Sequence, residues 1–173
     1  MPRTESTVAF DEFYRGTAKR VIHLVYATTG DLGLAQDCAQ EAYARAWQQW
    51  ERLTTYDEPL SWVRTVARRL AISQWRKRES ERAALTRSGS GASVRSHDEA
   101  TVDAVAVRAA LATLPLEQRE ALAMFYIADL SIEQIGEQLQ VPTGTVKARL
   151  HRGRAALAAR LASTRTDEER SRP

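Results

Sequence analysis

The stretch LSIEQIGEQLQVPTGTVKARLHRGRAAL, residues 130–157, holds two helical patterns separated by residues that cannot join them. Ser131 stands three residues before Gln134, which is the spacing of a capping box, so a helix is predicted from Ile132 to Leu139. Gln140-Val141-Pro142 ends it, because a proline ring inside a helix clashes with the preceding turn and donates no hydrogen bond. Thr143 suits the N-cap of a second helix, in which Val146, Leu150, Leu157 and Leu161 recur at helical spacing and point inward. A short helix, a turn of about four residues and a longer basic helix have the proportions of a helix-turn-helix. Gly136 falls inside the first helix, where a side chain would obstruct the close crossing of the two. On the second helix Lys147, Ala148, His151 and Arg152 share a face opposite the apolar one. Arginine or lysine donors there suit guanine N7 and O6, while Thr143, Thr145 and Arg149 near the helix start suit phosphates. A helical hairpin with a merely basic surface would imitate part of this pattern, so the rest of the chain has to decide.

Upstream of that stretch, Val102, Val105, Ala106 and Ala109 mark another helix, and Leu114-Pro115 breaks it and starts the next, through Ala128. Residues 81–100, ERAALTRSGSGASVRSHDEA, carry Ser-Gly-Ser-Gly and almost no large apolar side chain, the composition of a flexible linker. Before it, Phe10, Phe13, Tyr14, Val21, Ile22 and Val25 form one apolar helical face, ended by Gly30. A second helix follows Asp31 and runs to Trp50, with Ala35, Cys38, Ala39, Ala42 and Ala46 as its inner stripe and Trp47 and Trp50 beside it. Asp37, Gln40, Glu41, Ala44, Arg45 and Gln48 line its opposite, polar face. A third starts at Pro59, buries Val63, Val66, Ala67 and Leu70, and is expected to end at the basic run Arg76 to Arg78. No segment sustains the period-two alternation of a half-buried strand, so the fold is expected to be all-α. The organisation read from this is a helical domain over residues 1–80, the linker over 81–100, a helix-turn-helix domain over 101–163 and a frayed tail over 164–173.

At 173 residues, with 43% hydrophobic and 27% charged, the chain has the composition of a folded protein of one domain or two small ones. No apolar run approaches the ~20 residues that a membrane span needs, and the N-terminus lacks the apolar stretch of a signal peptide, so a cytoplasmic protein is expected. Cys38 and the scattered His23, His97 and His151 make neither a disulfide framework nor a metal cluster, and no cofactor is expected. Catalysis is not expected either: Asp37 and Glu41 share a face, but no histidine or second acidic cluster accompanies them. The net charge of +3 is less telling than its distribution. Arg64, Arg68, Arg69, Arg76, Lys77 and Arg78 follow Pro59 without an intervening carboxylate, and Lys147, Arg149, Arg152, Arg154 and Arg160 do the same after Gln138. Two basic patches in separate halves suit two contacts with a polyanion, or two solvated helix faces. In the first patch Trp62 and Trp75 accompany Arg64, Arg68, Arg69 and Arg76, a mixture of cations and aromatics that suits single-stranded DNA.

Leu114-Pro115-x-x-x-Arg119, followed by Leu130-Ser131-x-x-Gln134-Ile135-Gly136-x-x-Leu139-x-Val141-Pro142-x-Gly144-Thr145-Val146-Lys147-x-Arg149-Leu150-x-Arg152-Gly153-Arg154-x-x-Leu157, resembles region 4 of bacterial RNA polymerase sigma factors. Phe13-Tyr14, Gly30-Asp31, Ala35-Gln36-Asp37-x-x-Gln40-Glu41-x-x-x-Arg45-x-Trp47 and Trp62-Val63-x-x-Val66-Ala67-Arg68-x-x-Ala71 are similar to region 2 of the extracytoplasmic-function (ECF) group. Autonomous helix-turn-helix regulators, the alternative reading, share the first signature and not the second. The resemblance implies a sigma factor that binds core RNA polymerase at the β′ clamp helices and the β subunit, and promoter DNA at the −35 and −10 elements. It implies that Asp37, Gln40, Glu41 and Arg45 dock on the clamp helices. It assigns Trp62, Arg64, Arg68, Arg69, Trp75 and Arg76 to the −10 element and melting, and Thr143, Thr145, Lys147, Ala148, Arg149, His151 and Arg152 to the −35 element. An anti-sigma factor is a common partner in the family. Gln36, Ala148 and Gly153 depart from the usual residues, and Trp50 to Pro59 matches poorly the loop that captures a flipped −10 base.

Overall fold

The computed structural model describes residues 3–55, 58–87 and 102–170. The chain divides into two compact units, Met1–His97 and Asp98–Pro173. All regular elements among the described residues are helices.

The first unit holds α1 (Arg3–Thr29), α2 (Leu32–Gln48), the single turn α3 (Trp50–Leu53) and α4 (Pro59–Arg87). Gly30 stops α1 as expected: its φ is +72°, a left-handed conformation that costs glycine little, and its amide closes the last turn on the Tyr26 carbonyl at 2.7 Å. Asp31 then caps α2, its carboxylate accepting the Leu34 amide at 2.9 Å. The inner stripe of α2 is buried throughout, at Ala35, Cys38, Ala39, Ala42 and Ala46, and meets Ala18, Val21 and Val25 of α1 and Val63, Ala67 and Ala71 of α4 in one core. Burial pushes the Cys38 thiol up, with the Asp37 and Asp31 carboxylates adding and Arg78 opposing. Cys38 therefore stays a neutral core group.

An aromatic cluster closes one end of this core. Trp50 is buried, with ring centroids 5.1 Å from Phe10 and 5.0 Å from Phe13, whereas Trp47 stacks on Phe10 at 5.1 Å and stays 41% exposed. The buried Tyr43 lies between the helices with its hydroxyl 2.7 Å from that of Thr17. Thr17 gives its proton to the Phe13 carbonyl at 2.6 Å, so Tyr43 is the donor in the pair.

Helix α4 begins at Pro59 as the sequence suggests but does not end at Arg78; it continues to Arg87. Glu79 to Arg87 contains neither glycine nor proline, includes Ala83, Ala84 and Leu85, and gains an ion pair from Arg82 to Glu79 at 2.9 Å. All of these residues are exposed, so the extension is held by local propensity without burial. The first residues of the expected linker are thus helical, and residues 88–101 lie outside the described residues.

The second unit holds α5 (Val102–Ala112), α6 (Leu116–Tyr126), α7 (Ile132–Leu139) and α8 (Thr143–Arg170). Its core gathers Ala110, Leu114, Leu116, Leu122, Met124, Leu130, Ile135, Val146 and Leu150. The capping box is complete: the Gln134 amide donates to Ser131 Oγ at 3.1 Å and the Ser131 amide to Gln134 Oε1 at 2.9 Å. Thr143 is not the cap of α8 but its first residue. The Pro142 carbonyl accepts the Thr145 and Val146 amides at 2.9 and 3.2 Å, closing the first turn without a side chain. Helix α8 also carries on through the expected frayed tail to Arg170, along a run free of glycine and proline.

Between α7 and α8, Gln140 takes a left-handed φ of 56° and the Val141 amide returns to the Gly136 carbonyl at 3.0 Å. A Cβ on Gly136 would lie 2.9 Å from the Val141 carbonyl oxygen, a backbone atom that cannot step aside. Gly136→Ala is therefore expected to destabilise the helix-turn-helix by about 1–3 kcal/mol despite alanine's better helix propensity. Thermal unfolding followed by circular dichroism checks this, and an unchanged or raised Tm would refute it.

Candidate nucleic-acid and polymerase interface

On α8 one polar face is turned to solvent. Lys147, Ala148, His151 and Arg152 are all exposed on one side, while Val146 and Leu150 are buried on the other. Thr143 is exposed at the helix start, and Thr145 and Arg149 are half-buried on the flank. Glu133 on α7 has its carboxyl held below the ordinary value, first by its own backbone amide at the helix start, then by the Ser131 hydroxyl, with Lys147 also contributing. Gly153, where the resemblance leads one to expect alanine, has a packing reason. A Cβ there would lie 3.0 Å from Leu122 Cδ1, so α8 passes close over α6.

On α2 the polar stripe is also as expected: Asp37, Gln40, Glu41, Ala44, Arg45 and Gln48 are exposed along the face opposite the alanines. Arg45 Nε donates to Glu41 Oε1 at 2.7 Å, a pair one turn apart that orders the middle of the stripe.

The basic set on α4 is divided rather than brought together. At 3.6 residues per turn Trp62, Arg69 and Arg76 follow one line along the helix, and Arg69 and Arg76 are exposed. Arg68 and Trp75 are half-buried on the flank of the packed face. The assignment of Arg64 to DNA is corrected: only 6% of it is exposed, its Nη2 lies 3.5 Å from Glu58 Oε2, and its Nε is buried without a hydrogen-bond partner. Desolvation pulls its pKa down, partly offset by Glu58, and such a buried cation is not available to a strand of DNA.

Two features have no signal in the local sequence pattern. Arg154 donates to the Tyr126 hydroxyl at 2.9 Å and sits over the Phe125 and Tyr126 rings at 5.1 and 5.6 Å, although Tyr126 itself is 62% exposed. The partners are 28 positions apart, too far for any helical spacing to announce them. In the first unit a cavity of about 740 Å³ opens among Ser6, Trp47, Gln48, Gln49, Trp50, Glu51 and Arg52. Among the described residues no group of three or more histidine, cysteine or acidic side chains could hold a metal ion. No described helix is long and apolar enough to cross a membrane.

Comparison with known proteins agrees with this geometry. The family model for sigma-70 region 2 matches residues 13–81, and that for sigma-70 region 4 matches residues 104–157. The ECF RNA polymerase sigma factor SigL of Mycobacterium tuberculosis is 34% identical over 127 residues, covering 71% of this chain and 72% of SigL. The ECF sigma factor SigW of Bacillus subtilis is 28% identical over 155 residues, covering 82% and 83%. In structure the chain is similar to the sigma factor RpoE solved with the anti-sigma factor NepR from Bartonella quintana, with a TM-score of 0.73 at 22% identity over 89% of this chain and 97% of that one. The chain belongs to the sigma-70 family, in its ECF group of RNA polymerase sigma factors. Its role is promoter recognition together with RNA polymerase, and the region 2 match disfavours an autonomous regulator.

The burial of Arg64 yields a test. Glu58 is half-exposed and stays solvated without its partner, so replacing Arg64 by an apolar side chain of similar length strands no buried charge. Arg64→Met is expected to leave stability within about 1 kcal/mol of the parent or to raise it. A DNA-binding loss in a folded Arg64→Met protein, measured by fluorescence anisotropy of the holoenzyme on promoter DNA, would restore the discarded assignment.

Proposed function

We propose that the exposed stripe of α2 docks on the β′ clamp helices, that Arg69 and Arg76 with Trp62 on α4 guide the opened −10 strand, and that the α8 face reads the −35 major groove. The supporting observation is the pairing, in one chain, of region 2 and region 4 signatures that each turn their polar face to solvent. The chain's part is then binding and not catalysis, in the cytoplasm where polymerase and promoter meet. The cavity beside Trp47 and Trp50 adjoins the segment that in the family captures a flipped base, and aromatic stacking of a base there would contribute ~1–3 kcal/mol towards the cost of local melting. RpoE was solved with an anti-sigma factor, and a partner of that kind would silence this chain by covering the same faces. Run-off transcription with purified core polymerase and a promoter library tests the whole reading. Promoter binding by the isolated protein without polymerase, at physiological salt, would favour the autonomous regulator.

On α8, Lys147 and Arg152 are placed to read bases and Arg149 to hold a phosphate. Lys147→Ala or Arg152→Ala is expected to flatten preference at one −35 base pair by about 1–3 kcal/mol, whereas Arg149→Ala weakens all promoters alike and lowers the salt slope by about one. Holoenzyme affinities across −35 point variants at two salt concentrations distinguish these outcomes. If the lysine and arginine variants keep the wild-type ranking, the reading face is wrong.

On α2, the double variant Asp37→Ala with Glu41→Ala is expected to weaken core binding about tenfold or more while the free protein keeps its Tm, since charged rim contacts contribute mainly through attraction to the partner. Titration against fluorescently labelled core polymerase provides the measurement. Unchanged affinity would remove the stripe from the docking surface.

A further inference from the structure

Asp31 serves two elements at once. One carboxylate oxygen, Oδ1, accepts the Leu34 amide at 2.9 Å and so starts α2. The other, Oδ2, accepts from Arg78 Nη1 on α4 at 2.5 Å, 47 positions along the chain. The Asp31 side chain is 24% exposed and that of Arg78 42%, so the pair is partly shielded from water on the Asp31 side. Arg78 lies where α4 leaves the core: from Glu79 to Arg87 every residue is exposed. The pair thus ties α4 to the rest of its unit just before the exposed stretch of the helix, and the tie ends on the residue that caps α2.

We propose that the Asp31–Arg78 pair is a positioning clip that fixes the C-terminal part of α4, where Arg76 lies, against the N-terminus of α2, so that docking of α2 on core polymerase orients α4 for strand opening. Neither residue touches DNA or polymerase in this scheme. Its premise is the assignment of α2 and α4 made under Proposed function. The geometry suits the task. A charge-assisted bond between an ordered cap and a long guanidinium side chain restrains rotation of the helix end, adding to the packing of Ala71, Ile72 and the half-buried Trp75 one or two turns earlier. Helix α4 is continuous through position 78 and α2 begins directly after Asp31, so a restraint at position 78 is felt at position 76 within the same turn.

Two single substitutions separate the clip from the cap. Asp31→Asn keeps a side-chain oxygen for the Leu34 amide, because asparagine caps as well as aspartate, but loses the charge. Arg78→Gln keeps most of the stem and leaves the cap intact. With holoenzyme on one promoter, each variant is expected to lower open-complex formation, read by permanganate reactivity, about three- to tenfold, with core affinity and Tm close to the parent. The double variant should be no worse than the weaker single, since one interaction is lost in all cases. Unchanged opening in both singles overturns the proposal, and so does a parallel fall in opening, core affinity and Tm, which would mark a purely structural pair. Arg69→Ala with Arg76→Ala is measured alongside. If that variant loses opening while the clip variants do not, the clip fails alone and the assignment of α4 stands; if it too opens normally, both fall.

Discussion

The first unit depends on how near α1 and α4 can come to α2. Ala35, Cys38, Ala39, Ala42 and Ala46 present almost no side chain on the packed face, so the flanking helices approach until their own valines and alanines meet the α2 backbone stripe. Dispersion falls off so steeply with distance that this approach, not the size of any one residue, sets the strength of the core. A leucine at any of these positions would push a neighbour outward by more than the packing can absorb. The bulk missing from the seam is supplied at its end by Phe10, Phe13, Tyr43 and Trp50, which close the core there. Because the apolar contact of α2 goes to one side, its other side is left exposed and polar but for Ala44.

The second unit solves a similar problem with glycine. Gly136 lets the backbone of the turn at Val141 come against α7, and Gly153 lets α8 lie on Leu122 of α6. The Gly153 approach holds α8 by its buried side, near Leu150, while Lys147, His151 and Arg152 stand exposed on the same helix. On the proposal that α8 reads the −35 groove, rigidity on one face and freedom on the other would help, since a side chain that must find a base edge loses less entropy when its backbone is already fixed.

Much of this could be read from the chain before any coordinates. The capping box at Ser131 and Gln134, the glycine stop at Gly30, the proline start at Pro59 and the alanine stripe are local signals, each complete within a few residues. The failures have other causes. Arg64 carries the charge of a surface residue, and only the fold reveals that it is buried with Glu58 beside it. The length of α4 is hidden by the Ser-Gly run beyond it, which lowers the expectation for the helix-forming residues just before that run. Thr143 has good capping chemistry, but Pro142 already supplies the carbonyl that closes the turn, so the side chain has no cap to make. The bond between Arg154 and Tyr126 links residues on different helices, and nothing in the local pattern of either announces it.

The bare extension of α4 has a mechanical consequence. A helix is stiff along its axis and advances about 1.5 Å and 100° per residue, so the chain leaves Arg87 at a fixed height and a fixed azimuth with respect to the first unit. Adding or removing one residue between Glu79 and Arg87 would do more than change a length: it would swing the departing chain about a quarter-turn around the axis, and only changes near a whole heptad would restore its heading. Evolution of this segment is thereby quantised in phase, in the manner of a screw thread and unlike a slack cord.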